Sequence, residues 1–267
     1  MSYSVADVVR FMESFAPPAL AESWDNTGLL VGDWELPVER MMTCLTITPE
    51  SAGEAMERKI DLLIAHHPLP FRPIQKITTE TTTGKLLWNL IRHGVGIYSP
   101  HTSFDSAACG INQQIAEGLG LQSIVPLISS PEVPGGTGRL GELPGGMRLG
   151  EFLKRVKSFF HLPHVAFVGD VSRIVRRVAI GCGAAGEFLK EAQKYRCDVF
   201  LTGETNFHTL LEAQATGIGL VLMTHYASER FACERLAEIL REEFPGVEIG
   251  CSEREKNPLQ YDDSHTN

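Results

Sequence analysis

The stretch Leu62-Leu63-Ile64-Ala65-His66-His67-Pro68 is an apolar run that ends in two imidazoles and a proline. The run predicts a buried strand, and the histidines predict a polar site at its tip. Side chains alternate across a strand, so His66 and His67 share a site only if the strand is ending and the chain is turning, which Pro68 favours. Two other segments follow strand-like stretches in the same way. His101-Thr102-Ser103-Phe104-Asp105 adds a histidine and a carboxylate, and His225-Tyr226-Ala227-Ser228-Glu229 adds another such pair at a four-residue spacing.

Outward from that strand, the first half alternates helix and strand signals. Helices are expected over 5–15, 49–59, 83–93 and 111–119, and strands over 42–47, 61–65 and 96–99. This rhythm predicts a layered α/β domain with a largely parallel sheet. Residues 131–150 are rich in Gly and Pro and predict loops or a short hairpin at a domain junction. The rhythm then restarts, with helices over 149–160, 187–195, 207–216 and 228–242 and strands over 177–180, 199–202 and 219–223. The polar end, 252–267, is expected to fray.

The chain has 267 residues, room enough for two ordinary domains. With 43% hydrophobic and 21% charged residues it is neither disordered nor fibrous in composition. A formal charge of −9 argues against a partner gripped by its nucleic-acid backbone, while leaving room for a local basic pocket for a small anion. Asp7, Arg10 and Glu13 interrupt the N-terminal stretch at helical spacing, so neither a signal peptide nor a membrane partner is expected, and the location expected is cytoplasmic. The six cysteines form no C-x-x-C pair and are read as reduced and mostly structural.

Two adjacent imidazoles suit a pair of metal ions better than one, each ring taking a different ion. His225 and Glu229 fall on one face near a helix start, as in other helical ligand pairs. Mixed nitrogen and oxygen ligation suits Zn, Fe, Mn or Ni, and the lack of thiolates argues against a structural cysteine-type zinc site. Taken singly, each pattern is a common strand-to-turn junction or helix surface pair. Their joint placement after strands, where α/β proteins carry their sites, favours a metal centre. The run Gly181-Cys182-Gly183-Ala184-Ala185-Gly186 fits G-x-G-x-x-G, with Glu204 at the end of the next strand where a dinucleotide fold places a ribose-binding carboxylate. Only one βαβ unit surrounds it, so a tight turn packing helix on strand is expected, and a dinucleotide-binding protein is the weaker alternative.

Over nearly its whole length the chain resembles the Nif-three-like family, dinuclear-metal-centre hexamers also named GTP cyclohydrolase 1 type 2 homologues. The resemblance rests on Trp24-Asp25-Asn26-Thr27-Gly28-Leu29 with Val31-Gly32, His66-His67-Pro68-Leu69-Pro70-Phe71, His101-Thr102 with Asp105, Gly138-Arg139-Leu140-Gly141, Thr202-Gly203-Glu204 and His225-Tyr226-Ala227-Ser228-Glu229. It implies that His66, His67, Asp105, His225 and Glu229 hold two divalent transition-metal ions, with Asp25 and Asn26 close to them. Ser103 stands where the family pattern usually has Asn, and the second histidine often found beside the position of His208 is missing. Neither change removes a ligand. The larger family members carry an inserted domain for which this chain is too short.

The expected architecture is therefore α/β, two lobes forming a cleft: a first lobe over 1–125 rejoined by 220–267, and a second over 126–219. The expected chemistry is hydrolysis of a nucleotide-like substrate, GTP ring opening being what the resemblance implies, with ion-activated water as nucleophile. Glu229 is the candidate bridging carboxylate. His101, four residues before Asp105, is the candidate proton carrier or, equally, an orienting group. Arg72 and Lys76, just past the histidine pair, are candidates to neutralise a substrate phosphate. The resemblance also implies a closed homohexamer with sites facing an internal cavity. The reading from a different class is a non-enzymatic metal-binding ring that acts as scaffold, metal store or regulatory partner.

Overall fold

In the computed structural model, which describes residues 2–261, five strands form a first sheet. Their order is β15 (Glu248–Cys251), β4 (Arg40–Cys44), β5 (Leu62–Ala65), β6 (Gly96–Ser99) and β2 (Gly28–Val31). The first four run parallel, and β2 pairs antiparallel with β6. Met41, Leu62 and Ile64 pack on one face and Met42, Leu63 and Ala65 on the other. A sheet covered on both faces needs apolar residues at every position, which is why β5 reads as an unbroken apolar run. Helices α2 (Pro49–Glu57) and α3 (Thr82–Arg92) cover the second face.

The second sheet has six strands, in the order β11 (Ala166–Val168), β14 (Gly219–Leu222), β13 (Val199–Thr202), β12 (Ile174–Gly181), β10 (Arg139–Arg148) and β7 (Gln122–Val125). Strands β12, β13 and β14 are parallel and the other pairings antiparallel. Ala179, Phe200 and Leu220 pack outward on α7 (Leu189–Lys194) and α8 (Phe207–Thr216). Val178, Ile180, Leu201 and Val221 pack inward and join the same cluster as Met41 and Leu62. Helices α1 (Val5–Phe15) and α9 (His225–Glu243) lie against strands of the first sheet, α5 (Ile111–Gly118) and α6 (Leu149–Phe159) against strands of the second, and the apolar stripes of all four join this cluster. The two halves thus share one continuous core. Short ribbons, β1 (Tyr3–Ser4) with β3 (Pro37–Val38) and β8 (Ile128–Ser129) with β9 (Gly136–Thr137), complete the strands.

Several elements depart from the sequence expectation for identifiable reasons. Strands pair where their hydrogen bonds go, and both β7 and β14 belong to the second sheet, so the chain returns to the first through α9 and β15 and not from residue 220. The Gly-Pro-rich span 131–150 holds the long strand β10. Its register breaks between Glu142 and Met147, and Gly145 and Gly146 turn there with φ of +71° and +70°, a bulge that reads as a loop. Helix α9 starts at His225 instead of 228, and the helix expected over 187–195 divides into a 3-10 turn, Gly186–Phe188, and α7.

Residues 252–255, expected to fray, are anchored. The Glu54 carboxylate accepts from Ser252 Oγ and from the amides of Glu253 and Arg254. The Glu255 carboxylate accepts from the amides of Leu45 and Thr46 and pairs with Arg230 at 3.0 Å. Residues 256–261 form no helix or strand, and 262–267 lie outside the described residues. Among the described residues no helix is long and apolar enough to cross a membrane.

Candidate metal centre

Past the end of β5, the consecutive amides of His66 and His67 donate to Cys44 O and Leu45 O on the same neighbour. A regular strand points successive amides in opposite directions, so the chain has already turned and both rings reach one site, 5.1 Å apart between centroids. His101 opens α4 (His101–Ser106) directly after β6, placing Asp105 one helical turn further on. His225 opens α9, with Glu229 one turn along. Two non-glycine residues with positive φ stand at these entries, His101 at +29° and Thr224 at +74°. Such conformations cost about 1–3 kcal/mol each and persist where the surroundings fix them.

Three groups of side chains have potential ligand atoms within 4.8 Å of one another: His66, Asp105 and Glu229; His67, His225 and Glu229; His66, His67 and His101. Glu229 Oε2 lies 3.1 Å from His67 Nε2, 3.1 Å from His225 Nε2 and 3.8 Å from His66 Nε2. His66 Nε2 is 3.6 Å from Asp105 Oδ1. His66 is buried, 2% exposed, and neither ring nitrogen has a hydrogen-bond partner. An imidazole left so, facing two carboxylates beyond hydrogen-bond reach, fits a cation.

Three of the rings are held by their other nitrogen. His67 Nδ1 meets Thr46 Oγ1 at 2.7 Å, His225 Nδ1 meets the Glu204 carboxylate at 3.0 Å, and His101 Nδ1 meets Asp25 Oδ1 at 2.6 Å. The carboxylates of Asp25 and Glu204 place a proton on Nδ1 of His101 and His225, turning Nε2 toward the site, while the Thr46 hydroxyl, which can donate or accept, orients the His67 ring. Asp25 also accepts from the amide and hydroxyl of Thr102, and the Cys182 thiol donates to Asp105 at 3.1 Å.

The electrostatics follow from crowding these groups. Burial drives the His66 pKa well down. Burial and the charge of Glu229 push Asp105 up to about 7. Burial also opposes the charge on Glu229, but hydrogen bonds from His225 and His67 outweigh it and keep Glu229 ionised. The hydrogen bond to Glu229 raises His225 to about 9 against its burial, with Glu204 adding to the effect. Burial disfavours a charged His101, yet the Asp25 hydrogen bond and the charges of Asp105 and Glu229 raise its pKa. Burial likewise works against Asp25, whose bonds from His101 and Thr102 hold it at about 2.

The sequence run Gly181 to Gly186 enters this site. Gly183 has φ +62°, and a Cβ there would stand 2.3 Å from Glu229 Oε1. Its amide donates to Ser228 Oγ and that of Cys182 to Asn112 Oδ1, so the turn presses its backbone against the acidic ligand.

A cavity of about 520 Å³ opens over the centre, lined by His67, His101, Asp105, His225, Glu229 and the glycine turn, with Trp24, Phe71 and Phe188 on its walls. Of the other residues expected near a substrate, Asp25 orients His101 and Asn26 donates to Pro70 O, holding the segment after the histidine pair. Arg72 and Lys76 are exposed and do not line the cavity. Sequence reading missed the roles of Glu204, Thr46 and Cys182. Glu204 alone carried a signal, as a carboxylate at the tip of a strand.

Residues 3–258 match the family described as Duf34/NIF3 (NGG1p interacting factor 3). The chain belongs to the Duf34/NIF3 family. A GTP cyclohydrolase 1 type 2 homolog of Clostridium perfringens is 31% identical over 257 residues, covering 96% of this chain and 98% of its own. The protein NIF3 homolog of Schizosaccharomyces pombe is 30% identical, covering 94% and 95% of the two chains. Among solved structures, Staphylococcus aureus protein SA1388 superposes with a TM-score of 0.87 at 26% identity, over 97% of this chain and 99% of that one. The α/β architecture is thus that of Duf34/NIF3 proteins, and the clustered His, Asp and Glu residues form a candidate metal site within it.

Proposed function

We propose that the chain is a metal-dependent hydrolase whose site holds two divalent transition-metal ions and whose substrate is nucleotide-like. The observation that carries this is the sharing of Glu229 between two ligand groups, one completed by His66 and Asp105 and the other by His67 and His225. Five donors with a common carboxylate exceed what a single open catalytic ion needs. Bound there, such ions supply Lewis acidity and lower the pKa of water. Glu229, common to both groups, would serve both ions. His101, its Nδ1–H held by Asp25, presents Nε2 as the atom that takes and returns the proton. The name of the Clostridium perfringens relative supports a nucleotide-like substrate.

We also propose a homohexamer. Trp88 and Ile91 on α3, with Ile74 and Ile77 in the preceding loop, are exposed apolar residues of the kind that self-association covers.

Elemental analysis of the purified protein, joined to a nucleotide-hydrolysis screen, tests the proposal. The expected result is close to two ions per chain, reduced in His67→Ala and Glu229→Ala, with turnover of at least one substrate. Fewer than one ion per chain, or variants that bind metal unchanged, would refute the ligand set. Full metal binding without turnover would leave a non-catalytic metal-binding protein.

A further inference from the structure

Trp24 and Phe71 are 59% and 45% exposed, belong to none of the core clusters, and lie with ring centroids 5.9 Å apart. Both stand edge-on to His101, at 6.0 Å and 6.1 Å. Tilted 55° to each other, these two large aromatic side chains at the lip of a concave site let a flat ring stack on one face and pack its edge against the other. His101 then faces whatever group that ring carries toward the ligand cluster.

The charges of the cavity restrict that ring further. Beyond Asp105 and Glu229, which the reading above assigns to the ions, Glu22 and Glu187 add two carboxylates, and no lysine or arginine is among the lining residues. The usual grips on a phosphate chain are cationic side chains and the free amides of a glycine-rich turn. The amides of Cys182 and Gly183 are already committed to Asn112 and Ser228. A polyphosphate would find no lysine or arginine on the cavity wall, and beyond the ions it would meet the carboxylates of Glu22 and Glu187.

We infer that this cavity takes a planar nitrogen heterocycle without a polyphosphate, packed against Trp24 and Phe71, at the level of a nucleobase or nucleoside and not of a nucleoside triphosphate. This narrows the substrate of the metal-dependent reading above and rests on it. Stacking on an aromatic side chain tolerates different bases, so the same pair accepts more than one heterocycle.

The test is equilibrium dialysis of guanosine and GTP against the full-length, metal-loaded protein, with metal content measured in the same samples. Guanosine should bind at least tenfold more tightly than GTP. Trp24→Ala and Phe71→Ala should each weaken guanosine by about tenfold while keeping wild-type metal content, since neither residue supports the core. GTP binding as tight as guanosine, guanosine binding indifferent to both substitutions, or no guanosine binding at millimolar concentration would each overturn the inference. Protein that takes up no metal would instead overturn the metal-dependent reading beneath it.

Discussion

An alanine at Gly183 should cost this protein its metal more than its fold. Two effects are separable there. The first is backbone: with φ at +62°, an L-residue costs roughly 1–2 kcal/mol in the left-handed region. Gly217, at φ +75° with only Arg173 Nη1 nearby at 3.8 Å, carries the same backbone cost and lies at the end of α8, away from the centre. The second effect is contact. The new Cβ would stand 2.3 Å from Glu229 Oε1, and ordinary contact needs about 3.5 Å, so the carboxylate must retreat by roughly 1.2 Å. Metal sites tolerate ligand displacements of only about 0.2 Å. Both Gly183→Ala and Gly217→Ala should therefore lower the Tm by about 2–8 °C in chelator. Gly183→Ala alone should weaken metal binding, by about 100-fold or more, because it moves a ligand and not merely an orienting group. Chelator competition and elemental analysis after dialysis read the affinity, and circular dichroism reads the melt. Wild-type metal affinity in Gly183→Ala, or equal metal loss in Gly217→Ala, would refute the reasoning.

Three further outcomes are expected. His101→Ala should keep its metal and lose about two to four decades of turnover, and Asp25→Asn should follow it because the ring loses its tautomer, whereas Asp105→Ala should lose metal and activity together; full activity in His101→Ala would remove its proton-carrying role. Thr46→Val deletes the hydroxyl on His67 Nδ1 while keeping the Thr46 amide bonded to Glu255, so metal affinity measured by chelator competition should drop about 10–100-fold without a matching loss of stability. Burial opposes the charge on Glu54, but bonds from Ser252, Glu253, Arg254 and Arg58 lower its pKa, so its contribution is present above the ordinary carboxylate range and lost as pH falls through the folded-state value. Glu54→Gln should cost about 1.5–3 kcal/mol by urea unfolding at pH 7 in chelator, and a difference that fails to shrink at pH 3 would contradict this.

The cluster of candidate ligands was legible because each stands just past a buried strand or on the first turns of the helix that follows, and both kinds of position leave a pattern in residue order. What the pattern could not carry was anything decided across space. Glu204 meets His225 only because β13 and α9 come together, and Asp25 meets His101 across 76 positions of chain. Arg72 and Lys76 are close to the histidines in sequence, yet the segment after Pro68 carries them out into solvent. Strand β10 was hidden by its own bulge, whose glycines and proline are turn residues wherever they occur. That helices from both halves feed one continuous core was not legible, since an apolar stripe on a helix does not reveal which neighbours it meets.

The anchored segment 252–255 bears on the life history of the molecule. His66, His67 and Asp105 leave the ribosome early, while His225 and Glu229 follow more than 100 residues later and Glu255, which holds the backbone beside His67, later still. Folding during synthesis proceeds from the N-terminus. A nascent chain therefore carries three of the five candidate ligands before His225 and Glu229 have been made. A chain cut short before α9 would lack His225, Glu229 and the strand β15 that flanks β4, so on the metal-dependent reading neither ligand group around Glu229 could form.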